Sequence, residues 1–285
     1  MSVVIGPPAG SAARFLDPVR MAGNLWQHRD LIVRLTGQEV AQRYRGSYLG
    51  IVWSFVTPIL MLCVYAFVFS IVFQVRWGEG AGGDMRTGQF ALTLFAGLIP
   101  FGVFSEVVNR APSIVLGMPN YVKKVVFPLE VLPVVAVASA VVHSLISTLI
   151  LLVASLAFVG AVSPTVILLP LAYVPLVLLT LGLGWFLASM GVYVRDVGQV
   201  IGVLTQVLFF LSPIFYPVSA VPESLRGILY ANPLTAILGD FRRTLLWAQA
   251  PEWGAWAALS AATAVGAVFG YAWFMQTKKG FADVM

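Results

Sequence analysis

The sequence predicts an all-α membrane protein with six transmembrane helices, an N-terminal interfacial amphipathic helix and re-entrant helices before the last span. Of its 285 residues, 59% are hydrophobic and 10% are charged, whereas a soluble domain carries about a quarter charged residues. The apolar residues occur in runs that are long enough to cross a bilayer, which takes roughly 20 helical residues. Because backbone groups in hydrocarbon must bond within the protein, runs of this length favour helices over a barrel.

Six segments are long and apolar enough to span a membrane. They comprise residues 49–75, 90–108, 129–159, 165–194, 197–215 and 256–275. We therefore expect a cytoplasmic N-terminal segment at 1–48, a six-helix transmembrane domain at 49–276 and a cytoplasmic tail at 277–285.

A further stretch, 229–247, is mostly apolar but carries Asp240, Arg242 and Arg243. At the centre of a bilayer each of these charges costs about 2.5–3.5 kcal/mol on insertion scales. A seventh crossing would also move the C-terminal lysine pair to the side that holds few basic residues. We therefore interpret 218–254 as two short helices that dip back into the membrane face, which is permitted where protein buries the backbone.

The distribution of Lys and Arg predicts the orientation, because cytoplasmic loops carry the excess of positive charge. With the N-terminus in the cytoplasm and six crossings, five of the 17 basic residues fall outside. These five are Arg76, Arg86, Arg226, Arg242 and Arg243. The other twelve fall inside, so both termini of this multi-pass protein are expected in the cytoplasm.

The segment 21–46 precedes the first span and combines apolar side chains with arginines, which is typical of a helix lying in the membrane interface. Arg43 and Arg45 stand near its C-terminal end. Two interpretations are open. The segment is either an anchor that obeys the positive-inside rule, or a site where these guanidinium groups bind the phosphate of a lipid head in a bidentate manner.

The loop at 109–128, between the second and third spans, is longer than topology alone requires. Tyr121, Lys123 and Lys124 lie in it, on a segment that we expect to form a short helix facing a cytoplasmic partner. The alternative is a basic loop that serves only the topology of the chain.

Two carboxylates, Glu106 and Glu130, lie near the inner ends of the spans that flank this loop. A carboxylate at this depth is costly unless it is paired or wetted, so each suggests a function or a local partner. Arg110 and Lys124 are the expected partners. His143, in the middle of the third span, is expected to make an interhelical hydrogen bond rather than to relay protons.

Aromatic side chains are concentrated in the first span and near the end of the fifth. The candidates are Tyr65, Phe69, Phe209, Phe210, Phe215 and Tyr216. An aromatic belt at the membrane interface would explain such groups. A channel lining that stacks on the apolar faces of sugar rings would use the same residues.

No sequence pattern in the chain indicates catalysis. It contains no Gly-x-x-x-x-Gly-Lys-Ser/Thr phosphate loop, no Cys/His spacing for a metal and no Gly-x-Ser-x-Gly elbow. The 12 acidic residues are scattered singly, and Cys63 is the single cysteine. We therefore expect no catalytic residue and no metal ligand in this chain, and the sequence argues against an enzyme.

Three motifs stand in register along the chain. They are EVAQRYRGSYLGIVWSFVTP at 39–58, KKVVFPLEVLP at 123–133, and the set YVRDV at 193–197, LSPIFYP at 211–217 and ANPL at 231–234. Together they resemble the permeases of bacterial ABC exporters of lipid-linked polysaccharide, such as O-antigen and teichoic acid. The likeness covers residues 25 to 280 with order and spacing intact.

This resemblance implies a homodimer in the bacterial inner membrane that pairs with two copies of a separate ATPase. ATP and Mg²⁺ would be bound by that ATPase, and this chain would hold no cofactor. The resemblance also implies that 218–254 forms periplasmic gates and that the first and fifth spans line the polymer channel. The residues that it assigns to coupling with the ATPase are Pro119, Asn120, Tyr121, Lys123 and Lys124.

The sequence fits other classes of membrane protein less well. A secondary transporter or channel usually shows internal repeats and more intramembrane ionisable residues than this sequence has. A membrane scaffold would not need the gate-like region at 218–254. An ABC exporter of a small lipid or drug shares the overall architecture, so the substrate class depends on the three motifs.

Overall fold

The structure, a computed structural model, describes residues 15–43, 52–68, 87–119 and 127–284. In these ranges the regular secondary structure is entirely helical. The α-helices are α1 (Pro18–Gln27), α2 (Arg29–Arg43), α3 (Trp53–Tyr65), α4 (Thr87–Ile114), α5 (Val131–Val159), α6 (Leu169–Tyr193), α7 (Val197–Leu211), α8 (Glu223–Ala231), α9 (Pro233–Leu245), α10 (Trp253–Thr277) and α11 (Phe281–Val284). Short 3-10 turns occupy Pro164–Leu168, Val218–Ala220 and Lys278–Gly280.

The N-terminal segment forms two helices rather than the single helix predicted for 21–46. Asp17 caps α1 by accepting a hydrogen bond of 2.9 Å from the backbone N–H two residues later, and α1 ends at His28. Met21 and Leu25 pack on the bundle, so α1 has an apolar face. α2 buries none of its residues and mixes charged and apolar side chains around its circumference. The amphipathic character is therefore confined to α1.

Among the residues that the structure describes, four helical segments are long and apolar enough to cross a membrane. They are Gln89–Ile114, Val131–Val159, Pro164–Tyr193 and Trp253–Val284, which contain α4, α5, α6 and α10. The apolar helices at Trp53–Val68 and Val197–Leu211 are shorter, and their roughly 16 residues reach about 24 Å. Length and composition therefore support four crossings, and the crossings of α3 and α7 belong to the functional proposal below.

The helices run alternately between two ends of the bundle. At the end that we name proximal, the hydroxyls of Ser189 and Thr277 lie 2.7 Å apart and join the ends of α6 and α10. At the opposite, distal end, the hydroxyl of Thr165 donates to the carbonyl of Thr244 at 2.8 Å. α1 and α2 lie at the proximal end, where Asn24 contacts the end of α10, and α9 lies at the distal end.

α4 is the central helix, and it packs against α5, α6, α7 and α9. The predicted second span, 90–108, is too short at both ends, because α4 continues through the more polar residues up to Ile114. α6 and α10 make a backbone contact in which a Cβ added to Gly270 would lie 2.1 Å from the carbonyl oxygen of Gly182. Glycines therefore allow these two helices to approach each other closely, as small residues do in membrane helix pairs.

α8 and α9 cover the distal end and occupy the region predicted to hold two short helices. They have nine and 13 residues, which correspond to about 14 and 20 Å. Asn232 caps α9 by accepting from the N–H of Leu234 at 3.0 Å, and its side-chain amide donates to the hydroxyl of Ser212 at 3.0 Å. The structure therefore has two short helices in place of a seventh span.

Candidate functional site

Two ion pairs of opposite polarity join α2 to α4 at the proximal end. Arg43 pairs with Glu106, and Glu39 pairs with Arg110. The two residues on each helix are four positions apart, which places them on one face, and their order is reversed between the helices, so α2 and α4 run antiparallel here. We name these four residues the α2–α4 clasp. Its side chains are 18–38% exposed, so the clasp is accessible from outside the bundle.

The ion pairs of the clasp differ from those that the sequence suggested for Glu106 and Glu130. Arg110 was expected to pair with Glu106 or Glu130, but it pairs with Glu39, which lies on a different helix from both. That prediction is wrong for Arg110, and Lys124 lies outside the described residues. The sequence missed Glu39 because its position relative to α4 depends on how α2 docks, which hydropathy does not encode.

A cavity of about 410 Å³ opens between α3, α4 and α5. Arg43 and Glu106 line it at the proximal end, and α4 contributes residues from Phe95 to Glu106, so the cavity runs about 16 Å along that helix. Its walls mix polar and apolar side chains. The polar ones include Ser54, Thr57, Tyr65, His143, Ser144 and Ser147, and the apolar ones include Met61, Phe95, Leu98, Ile99 and Val103.

Besides Arg43 and Glu106, two further residues singled out in the sequence lie in the wall of this cavity. Nδ1 of His143 lies 2.8 Å from the carbonyl oxygen of Ser139, one turn earlier on the same helix. Tyr65, which the sequence grouped with the channel aromatics, lines the cavity from α3. Arg45 and Phe69 lie outside the described residues.

Glu130 joins four parts of the proximal end. Its carboxylate accepts hydrogen bonds from the ammonium of Lys278 at 2.6 Å and from the side-chain amide of Asn24 at 3.1 Å. The same amide donates to the hydroxyl of Tyr271 at 2.7 Å, and the backbone carbonyl of Glu130 accepts from the indole N–H of Trp185 at 2.9 Å. Because Glu130 directly precedes α5, this network ties the end of the α4–α5 loop to α1, α6 and the end of α10.

Glu130 is buried, with 4% of its surface exposed. Burial alone would raise the pKa of Glu130, but the hydrogen bonds from Lys278 and Asn24 and the charge of Lys278 outweigh it and hold the pKa below its ordinary value. Both acids that flank the loop therefore have a cationic partner on a helix that is distant in sequence.

Four of the predicted channel aromatics lie together at the distal end of α7. The ring of Phe209 lies 5.3 Å from that of Phe210 and 5.0 Å from that of Phe215, between centroids. The hydroxyl of Tyr216 donates to the backbone carbonyl of Phe210 at 2.8 Å. Phe101 of α4 packs on Phe209 at 5.2 Å, so one side of this aromatic group is held by the bundle, and Phe210 is 66% exposed.

Arg242, one of the charges that argue against a seventh span, is buried. Its guanidinium donates to the backbone carbonyls of Thr93, Pro213 and Ile214 at 3.0, 2.7 and 2.9 Å. Gly97 leaves the space for this group, since a Cβ there would lie 2.5 Å from Nη2 of Arg242. Arg242 thus fixes α9 to the distal end of α4 and to the turn that precedes Phe215 and Tyr216.

Asp240, also on α9, is expected to make stability depend on pH. Burial raises the pKa of Asp240 to about 6, although the backbone N–H of Glu252 and the charge of Arg243 oppose this shift. The folded state therefore holds the proton more tightly than the unfolded state, and stability falls as the pH rises from about 4 to about 6. Asp240→Asn should raise the free energy of unfolding at pH 7.5 by about 1–2 kcal/mol.

The measurement for Asp240 is the unfolding midpoint in detergent micelles between pH 4 and pH 8. The variant should lose the part of the pH slope between 4 and 6, whereas Glu223→Gln, an exposed acid on α8, should keep it. Equal slopes in the wild type and Asp240→Asn would contradict the assignment.

Most of the residues assigned to coupling lie outside the described residues. These are Asn120, Tyr121, Lys123 and Lys124. Pro119 is described and exposed, five residues beyond the end of α4. In the part of the chain that the structure covers, no group of three or more His, Cys, Asp or Glu residues is placed to hold a metal ion.

Comparison with known proteins places the chain among transporters. Residues 30–246 match the family model described as ABC-2 type transporter. The chain is 29% identical over 249 residues to an O-antigen export system permease protein, RfbA, of Myxococcus xanthus, which covers 87% of this chain and 92% of that protein. It is 26% identical to RfbA of Klebsiella pneumoniae over 79% of this chain and 83% of that protein.

A third relative is named for a different polymer. The chain is 23% identical to the polysialic acid transport protein KpsM of Escherichia coli, over 73% of this chain and 78% of that protein. The family match includes α2, α3 and α4 with the clasp and the cavity between them, and it extends to the end of α9. The chain therefore belongs to the ABC-2 type transporter family.

Proposed function

We propose that this protein is the transmembrane subunit of an ATP-driven ABC exporter that moves lipid-linked polysaccharide, of O-antigen or teichoic-acid type, across the bacterial inner membrane. The observation that carries the proposal is the similarity over 87% of the chain to a permease named for O-antigen export. Similarity to a polysialic acid transport protein supports polysaccharide as the general substrate class. Two copies of the chain would pair with two copies of an ABC ATPase, which would bind ATP and Mg²⁺.

The proximal end is proposed to face the cytoplasm. It holds α1, α2, the α4–α5 loop and the C-terminal turn at Lys278–Gly280, and the excess of basic residues in these segments supports this orientation. α3 and α7 complete six crossings in this arrangement, and α8 and α9 form the periplasmic gate.

The α4–α5 loop is proposed to contact the ATPase. ATP binding would close the two ATPase subunits and displace this loop as a rigid body, which rearranges α3 and α7 and admits the polymer. Phe209, Phe210 and Phe215 would then line the path, because stacking on aromatic rings is weak and independent of sugar sequence. A lining that bound any one sugar tightly would stop the polysaccharide from moving through the channel.

The proposal is tested by purifying this chain with the ABC ATPase encoded beside it and measuring ATP hydrolysis with and without a polyprenyl-linked glycan. A stable complex whose hydrolysis responds to the glycan is the expected result. If the chain does not bind an ATPase, the proposal is wrong and a secondary transporter becomes the better explanation. If hydrolysis by the complex responds to small lipids or drugs but not to the glycan, the chain is still an ABC permease but the proposed substrate is wrong.

Replacing both Tyr121 and Lys123 with alanine should uncouple export from ATP hydrolysis while the permease remains inserted in the membrane. We expect export to fall at least tenfold, because the loop would lose its aromatic and cationic contacts with the ATPase. Export is measured as polymer reaching the cell surface, and insertion as the amount of permease in washed membranes. Lys279→Ala, which removes one exposed positive charge at the same end, is the control, and unchanged export in the double variant would contradict the coupling assignment.

A further inference from the structure

The cavity between α3, α4 and α5 has one charged end and a mixed interior. Arg43 and Glu106 lie at the proximal end, hydroxyl and imidazole groups from α3 and α5 lie along its length, and Phe95 lies at its distal end. A site with this distribution fits an amphiphile whose charged head stays at the proximal end. Among the described residues that line the cavity, Arg43 is the one Lys or Arg, and the head that it would bind is an anion.

The contact between Arg43 and Glu106 is open to a competing anion. The side chains of the two residues are 34% and 29% exposed, and the guanidinium donates to both carboxylate oxygens, which is the bidentate arrangement that a phosphate can also adopt. A phosphate carries up to twice the charge of a carboxylate and offers three acceptor oxygens to a guanidinium group. A phosphate at the proximal end of the cavity can therefore displace Glu106 from Arg43.

The second ion pair of the clasp makes this exchange possible without undocking α2. Glu39 and Arg110 lie one turn further along the two helices, and neither lines the cavity. When Arg43 turns towards a phosphate, α2 keeps its ion pair between Glu39 and Arg110 and its packing on α5. The released carboxylate of Glu106 then faces the anion and resists its binding, so Glu106 acts as a competitor that keeps affinity moderate.

We propose that this cavity is a binding site for the phosphate head of a lipid, in which Arg43 exchanges Glu106 for the phosphate. The inference deepens the proposed function, on which it rests, because it assigns the place where the lipid carrier of the polymer is first held. The moderate affinity that Glu106 imposes suits a carrier that must leave the site again in every transport cycle.

The first test measures lipid retention by native mass spectrometry on the full chain in nanodiscs of phosphatidylcholine with 10 mol% phosphatidic acid, a lipid with a phosphate monoester head. Glu106→Gln should increase the phosphatidic acid retained severalfold, because Arg43 loses its competitor. Arg43→Gln should reduce retention to the level of phosphatidylcholine. Glu223→Gln removes the same charge at the distal end and should leave retention unchanged.

Equal retention in Glu106→Gln and Glu223→Gln would overturn the exchange, because the effect would then reflect net charge alone. Inorganic diphosphate at millimolar concentration separates the two sources of phosphate. Failure of this soluble anion to release the lipid is expected, since the chain of the lipid contributes to binding. Full release by diphosphate would overturn the assignment to a lipid.

A second variant tests the cavity without touching the ion pair. Gly102 lines the cavity, and a Cβ built on it meets no atom within 4 Å, so Gly102→Leu fills the space. Retention should fall to the level of Arg43→Gln, and unchanged retention would place the lipid elsewhere. Copurification with the ATPase is scored separately. Unchanged lipid retention in Gly102→Leu with an intact complex would therefore count against the cavity and leave the proposed function standing.

Discussion

Replacing Arg242 with methionine is expected to lower the free energy of unfolding by at least about 3 kcal/mol, because each buried carbonyl left without a donor costs about 1–3 kcal/mol. Three carbonyls, those of Thr93, Pro213 and Ile214, accept from this guanidinium. Arg242 is 3% exposed, so water does not replace the lost donors. The change also frees α9 from α4, so export should fall together with stability.

The measurement for Arg242 is the unfolding midpoint in mixed detergent micelles, followed by tryptophan fluorescence. Arg243→Met is the matched control, because Arg243 is the next residue on α9 but is 28% exposed and bonds to the carbonyl of Ala250 and to Glu252. Arg243→Met should lower the free energy of unfolding by less than about 1 kcal/mol. Arg242→Lys should be intermediate, since an ammonium keeps the charge but lacks the fork that reaches several acceptors. Equal midpoints for Arg242→Met and Arg243→Met would contradict the role assigned to Arg242.

Gly270→Ala should destabilise the contact between α6 and α10. The added Cβ would lie 2.1 Å from the carbonyl oxygen of Gly182, which is part of the rigid backbone of the facing helix. The two helices must separate along this contact, and overpacking of this kind costs about 1–3 kcal/mol or more. When the two helices separate, they also lose the close van der Waals packing that stabilises helix pairs in membranes.

Gly266→Ala provides the control for Gly270→Ala. Gly266 lies one turn earlier on α10, and a Cβ built on it meets no atom within 4 Å. Because alanine favours a helix by up to about 1 kcal/mol over glycine, this variant should be neutral or slightly stabilising. Unfolding in mixed micelles compares the two, and a midpoint for Gly270→Ala at or above that of Gly266→Ala would show that the helices are not in backbone contact.

The sequence predicted where the helices lie because hydropathy reports on contact with lipid. The six helices α3, α4, α5, α6, α7 and α10 overlap the six predicted segments. The bounds of α4 were predicted too narrowly, since its ends carry polar residues that remain helical. The break at His28 was missed because a turn of this kind needs neither Gly nor Pro.

The charged contacts were harder to predict, for a different physical reason. Glu106 binds Arg43, 63 residues away, and Glu130 binds Lys278, 148 residues away. The need of each acid for a partner follows from the cost of a buried charge, but the identity of the partner depends on which helices meet. Arg242 was harder still, because backbone carbonyls accept its hydrogen bonds and they leave no signature in a sequence.

The hydrogen bond between Glu130 and Lys278 also bears on how the chain is made. A membrane protein is synthesised from its N-terminus, so α5 is inserted long before Lys278 leaves the ribosome. Until then the carboxylate of Glu130, at the N-terminal end of α5, lacks the counter-ion that Lys278 provides. A chain that stops before Lys278 would therefore keep a buried acid without its counter-ion, and its proximal end should fold less stably than that of the complete chain.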